Sequence, residues 1–243
     1  MEAATPAQGP RKIEVGRVLR ESFTIYGENV GALLGVGILI AVSFGIVIGL
    51  LNDEGGVLAQ FIAYVLQLVA GALYTGFVVR LVQDVRDGKR DSTVGELISG
   101  AMPFIGSLIL FSILSGIGIG IGFILLIIPG LYLLTIWSVG APAIIVEGKN
   151  GIEAFSRSHE LVKGQGWDVF GVILCVFLII IVSAIIAAAI GAAIGGVVGA
   201  IIVASLVMLF YIPIQALVQS VLFFDLGGGS TPAPADTQVV VEY

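Results

Sequence analysis

Charge is what this sequence has least of. Only 12% of its 243 residues are charged, against 58% hydrophobic, and the mean hydropathy is +1.10. Soluble domains carry roughly 25% charged residues. A folded chain always keeps surface in contact with solvent, so this much apolar surface cannot all be hidden in water. The bilayer is therefore part of the solvent. The single cysteine, Cys175, excludes an intramolecular disulfide and a thiolate metal cluster. It lies within "FGVILCVFLIII" and reads as a small buried hydrophobe. The single histidine, His159, cannot build a metal site alone, because such sites need three or four convergent ligands. It reads as a polar residue on an interfacial helix. The net charge of -6 leaves no basic surface for nucleic acid, which is not expected as a partner. No cleavable signal peptide is evident, since the first apolar run starts near Val30, after four Lys/Arg, with no compact cleavage site behind it.

What is there is oil in long runs. A crossing helix needs about 20 apolar residues. Residues 30–51 and 57–79 supply two. The next run, 97–146, is uncharged throughout. As one helix it would be roughly 75 Å long against a core of roughly 30 Å, so it must fold back. Pro129-Gly130 is the strongest turn signal inside it, which sets spans at 105–127 and 131–146. The run 169–224 poses the same problem. Its best break is the glycine cluster Gly191, Gly195, Gly196 and Gly199. The expected fold is all-α: a polytopic membrane protein of six transmembrane helices in three hairpins. A cytoplasmic head, 1–29, and a flexible cytoplasmic tail, 225–243, flank the membrane domain, 30–224. The last apolar residues of the tail, 239–241, would suit strand addition to a partner, but a disordered end is the simpler reading.

The charges support that count. Arg11, Lys12, Arg17 and Arg20 lie in the head, and Arg80, Arg86, Lys89 and Arg90 between spans two and three. Lys149, Arg157 and Lys163 lie between spans four and five. These are all eleven basic residues, and the alternate connections hold none. Positive residues collect on the cytoplasmic side, which predicts a multi-pass cell-membrane protein with both termini cytoplasmic. The three basic segments are alike in pattern. Each opens with a short amphipathic helix that runs into a span, as interfacial helices do. In the first, Val15, Val18, Leu19, Phe23 and Tyr26 oppose Arg17, Glu21, Thr24 and Glu28. The second is "VGELISGAMPFIGSLILF". In the third, Ile152, Phe155, His159 and Val162 oppose Glu153, Arg157 and Glu160.

Candidate sites are polar rather than catalytic. Gln60, Tyr64, Gln67, Gly71 and Tyr74 follow one face of span two. Tyr211, Gln215 and Gln219 follow span six, near Pro213. Amides in lipid are expensive unless partnered, so both stripes are expected to face inward. They would serve either interhelical hydrogen bonding or a polar substrate or lipid headgroup. "GIGIGIG" has neither the strand nor the lysine of a phosphate loop. Its Gly116/Gly120 and Gly118/Gly122 pairs suit close helix approach, as do Gly31/Gly35, Gly45/Gly49 and Gly191/Gly195. No acid, base or nucleophile set stands out, and no cofactor is implied.

The residues Ile128-Pro129-Gly130, Trp137, Glu147, Ala154, Arg157-Ser158, Leu161, Lys163-Gly164 and Trp167 carry a family resemblance. With the opening "VGRVLRESFTIYGENVGALL", this segment resembles the six-helix membrane domain fused to some glycerophosphodiester phosphodiesterases, and its stand-alone relatives in bacteria and archaea. The resemblance implies the same six-helix topology. The catalytic barrel of the fused enzymes has no counterpart here, so no catalytic residue is carried over. The leading expectation is a non-catalytic membrane protein that organises lipid or a partner protein at the cytoplasmic face. Its partners would be membrane lipid and either another protein or further copies of itself. The alternative is a small permease or lipid-handling protein that uses the polar stripes.

Overall fold

The computed structural model describes residues 12–53, 56–88 and 92–229. Among these residues the chain is helical, without strands. The helices are α1 (Val15–Glu28), α2 (Val30–Asp53), α3 (Val57–Arg86), α4 (Val94–Ala101), α5 (Ile105–Leu125), α6 (Ile127–Ile136), α7 (Gly140–Glu147), α8 (Glu153–Val162) and α9 (Gly166–Asp225). Among the described residues, five stretches are long and apolar enough to cross a membrane: Val30–Leu51, Val57–Arg86, Val94–Leu125, Ile127–Glu147 and Gly166–Ala193. A sixth apolar helix, Phe210–Asp225, is shorter.

Local chemistry sets the boundaries. Thr93 and Glu96 form a reciprocal capping box that starts α4. A short 3-10 turn, Met102–Phe104, with a proline in its first positions leads into α5. The break after α5 falls at Leu126, whose backbone is extended (φ -164°, ψ 150°), and not at Pro129-Gly130. Pro129 lies in the first turn of α6, where helix N–H groups have no intrahelical acceptor and proline loses nothing. Gly130 serves close approach instead. A Cβ there would stand 2.5 Å from the Phe123 ring, and one on Gly122 would stand 2.9 Å from the Gly130 Cα. A Cβ on Gly118 would meet the Trp137 ring at 2.7 Å. The Gly118/Gly122 pair thus lets α6 lie against α5. Gly31, Gly35, Gly45, Gly49, Gly116 and Gly120 face open space, so those pairs bring no two helices together within the described residues.

The glycine cluster does break α9. Gly195 and Gly196 leave helical geometry, and Gly196 adopts φ 59°, which favours glycine. A Cβ on Gly199 would collide with the Gly191 carbonyl oxygen. Eight residues of straight helix span about 12 Å, so the chain doubles back here. Val176, Ile180 and Ser183 from the first half then share a cleft with Val207, Tyr211 and Ile214 from the second.

Burial concentrates at one end of the bundle. Val18, Phe77, Val78, Val82, Leu217, Val221 and Phe223 are fully enclosed there. Elsewhere the apolar side chains point outward, as those of α2 do at Leu39, Ile46 and Leu50. Two amphipathic faces hold in part. In α1 Val18 is buried and Val15, Leu19 and Tyr26 pack against the core as expected, Ser22 and Ile25 join them, and Phe23 is exposed. In α8 Val162 is buried and Phe155 packs inward as expected, Ala154, Ser158 and Leu161 are buried as well, and Ile152 and His159 are exposed. Small residues decide the second case: Ala154 and Ser158 let α8 close on the 137–139 turn, where Ser158 Oγ accepts the Val139 N–H at 3.2 Å. The tail also begins later than expected. Asp225 and Leu226 are buried, and Gly227 (φ 89°) ends α9. The Gly228 N–H donates to Phe223 O and the Gly227 N–H to Phe224 O, the Schellman arrangement of a glycine C-cap. Residues 230–243 and 1–11, with the strand-addition segment 239–241, lie outside the described residues.

Candidate functional site

α3, α5, the turn between α6 and α7, and both halves of α9 enclose a cavity of about 470 Å³. Its polar groups are Thr75 from α3, Ser112 and Ser115 from α5, Ser138 from the turn, and Tyr211, Gln215 and Gln219 from α9. Phe111, Val176, Phe177 and Leu222 form much of the apolar wall. Among the described residues no charged one lines it. Ser112 and Ser115 share a face of α5 through their three-residue spacing, and Ser115 Oγ donates to Ser112 O at 3.2 Å. The Ser138 hydroxyl is shielded and has no hydrogen-bond partner among the described residues. Gly71 and Gln215 are exposed at the rim, and Phe177 is 55% exposed. The cavity therefore opens sideways through the apolar part of the bundle. Its size and mixed lining suit a small ligand, for which pockets run from about 300 to 1,000 Å³. In its wall Trp137 stacks edge-on with Phe155 at 4.8 Å, and Phe155 lies 4.6 Å from Phe111.

The two polar stripes meet only in part. Tyr211, Gln215, Gln219 and Gly71 reach the cavity. Tyr74 does not: it is 6% exposed, and its hydroxyl donates to Leu33 O at 3.1 Å, pinning α3 to α2. Gln60, Tyr64 and Gln67 lie on the outer surface, away from the cavity. Spacings of four and three drift by about 20° per heptad relative to the helix. Over two heptads that is only about 40°, so the difference lies in the packing: the first half of α3 is exposed on most sides, as Leu58, Phe61, Ile62 and Val65 show, and has little to face. Thr75 and the three serines were not anticipated. Their only signal is the clustering of small hydroxyls on otherwise apolar spans.

A charged network joins the helices at the enclosed end. The Asp225 side chain is fully buried. It takes Arg17 from α1 at 2.9 Å and Arg86 from α3 at 3.2 Å, while Arg86 also reaches Glu21 at 2.5 Å. The hydrogen bond to Asp225 leads the causes that raise the Arg17 pKa and hold it charged. Nearby, Arg157 clasps Glu147 with two bonds of 2.7 and 2.8 Å. Glu147 also accepts the Gly229 N–H at 3.1 Å. The Glu147 hydrogen bond likewise raises the Arg157 pKa. Arg80 donates to Gly100 O at 3.1 Å and lies over the Phe104 ring. α1, α4 and α8 are thus fastened to the ends of the long helices. Among the described residues no group of three or more His, Cys, Asp and Glu stands close enough to hold a metal ion.

No family model matches this chain, and no solved structure matches it. A UPF0259 membrane protein from Pectobacterium carotovorum subsp. carotovorum (strain PC1) is 37% identical to it over 99 residues. That stretch is 40% of this chain and 39% of the relative, so the match spans about two-fifths of each. With the apolar helices described above, this similarity makes the chain a multi-pass, helical membrane protein.

Proposed function

We propose that this protein is a non-catalytic lipid-handling protein of the cell membrane, and that it holds a polar-headed molecule in the cavity between α3, α5 and α9. The observation that carries this reading is a pocket of about 470 Å³ among apolar helices that is lined by hydroxyls and amides and contains no charge. Unpartnered polar groups in lipid are costly, and the amides of Gln215 and Gln219 give a ligand groups to pair with. The proposed topology crosses six times in three hairpins, with both termini and α1, α4 and α8 cytoplasmic. The segregation of all eleven basic residues supports it, as does the doubling back of α9 at Gly195-Gly196. It is also the topology of the glycerophosphodiester phosphodiesterase-associated membrane domain that the sequence resembles. The test is lipid retention in mild detergent by native mass spectrometry. Ser115→Phe should fill the cavity and strip bound lipid. An unchanged lipid complement would leave the cavity as a packing feature only.

A second reading has its own support. Three amphipathic helices fastened at one end of the bundle would occupy one leaflet more than the other, which suits organising lipid or a partner protein. Vesicles of differing curvature distinguish the two. A scaffold should prefer one curvature even when Ser115→Phe blocks the cavity.

A further inference from the structure

We infer that the ligand of the cavity is an uncharged, hydroxyl-bearing lipid of the diacylglycerol type, taken laterally from the leaflet next to the charged end of the bundle. This rests on the lipid-handling reading of the same cavity. Three observations carry it. First, nothing that lines the cavity is charged, although it lies close to the charged end: Gln219 is about 9 Å along α9 from Asp225. Second, four of the arginines at that end are committed, and Arg20 is exposed on α1. Arg17 and Arg86 hold Asp225, Arg157 holds Glu147, and Arg80 holds Gly100 O. A phosphate drawn into the cavity would meet no counter-charge, and an unpaired buried charge is strongly disfavoured. Third, the polar groups are those that match a hydroxyl, which both donates and accepts. Gln215 and Gln219 offer amide N–H groups and carbonyls, and Thr75, Ser112 and Ser115 bring hydroxyls to the same lining. The rim at Gly71, Phe177 and Gln215 faces sideways, so acyl chains attached to the headgroup remain among lipid.

The two tryptophans allow a direct test. Trp137 lines the cavity, whereas Trp167 is 86% exposed at the start of α9. In a Trp167→Phe protein, reconstituted in phosphatidylcholine vesicles, fluorescence reports on Trp137 alone. Diacylglycerol and phosphatidate with identical brominated chains would be titrated separately as quenchers. They differ in the charged headgroup and in little else. Diacylglycerol should quench saturably, at a mole fraction at least roughly tenfold below that required for phosphatidate, a ratio equivalent to about 1.4 kcal/mol. Ser115→Phe should abolish the saturable component, and if saturable quenching persists in that variant the lipid binds elsewhere and the inference is overturned. Equal or stronger quenching by phosphatidate overturns the uncharged class but leaves the lipid-handling reading standing. Failure of both lipids to quench saturably, with the protein folded, removes that reading as well.

Discussion

Asp225→Asn tests whether the charged network is what fastens α1 and α3 to α9. The substitution keeps shape and removes only charge. It leaves Arg17 without its strong partner and Arg86 with Glu21 alone. Breaking a buried ion pair by deleting one member costs about 3–5 kcal/mol. Here the acceptor is fully buried, but the two arginine side chains keep 31% and 22% of their exposure. Water therefore recovers part of the loss, and Glu21 recovers more. A destabilisation of about 2–4 kcal/mol results, which for a chain of this size is a fall in Tm on the order of 10 °C. The assay is thermal unfolding in one detergent, with the exposed Arg20→Gln on the same helix as control. A double-mutant cycle with Arg17→Gln isolates the pair, and coupling of about 1–3 kcal/mol is expected. If Asp225→Asn unfolds within a degree of Arg20→Gln, or the cycle shows no coupling, the network is a bystander and burial alone holds the helices.

Cysteines introduced as Asp53→Cys, Gly88→Cys and His159→Cys in a Cys175→Ala background should react with an impermeant label from outside sealed cells at position 53 only. Labelling at 88 or 159 with 53 protected would invert the proposed topology. Gly122→Leu should destabilise by about 1–3 kcal/mol or more, because its first added carbon already stands 2.9 Å from the Gly130 Cα. Gly120→Leu, into open space, should be near neutral in the same melt, and equal losses would deny the close packing of α5 on α6. Gly196→Ala should cost about 1–2 kcal/mol through its φ of 59°. A neutral result would show that the break in α9 does not depend on that conformation.

The parts of this fold that were legible in sequence are those in which a physical limit admits few solutions. A bilayer core of roughly 30 Å cannot accept an uncharged helix over 169–224, so a break was required, and the glycine cluster was the best place for it. The break in 97–146 was required for the same reason, yet its position was misplaced by three residues. Proline-glycine signals both the end of one helix and the start of another, and tertiary contact decided: Gly130 was needed against Phe123, so the reversal moved to Leu126. The amphipathic segments were legible as helices because charge and oil alternate with helical period. Their buried faces were legible in part: Val15, Val18, Leu19 and Tyr26 turn inward as expected, but in α8 Ala154 and Ser158 are buried while Ile152, which hydrophobicity ranks above them, is exposed. Half of the cavity followed from the scarcity of amides in apolar spans, which singled out Gln215 and Gln219. The other half rests on serines and a threonine whose side chains are too small to look unusual in a membrane helix. Only packing shows that Ser112, Ser115 and Ser138 face one space. Asp225 was hidden differently. It closes the longest uncharged run and read as the first residue of a tail, whereas a lone acid at the end of a span asks for a cation. Arg86, at the end of another span, is the residue that answers it.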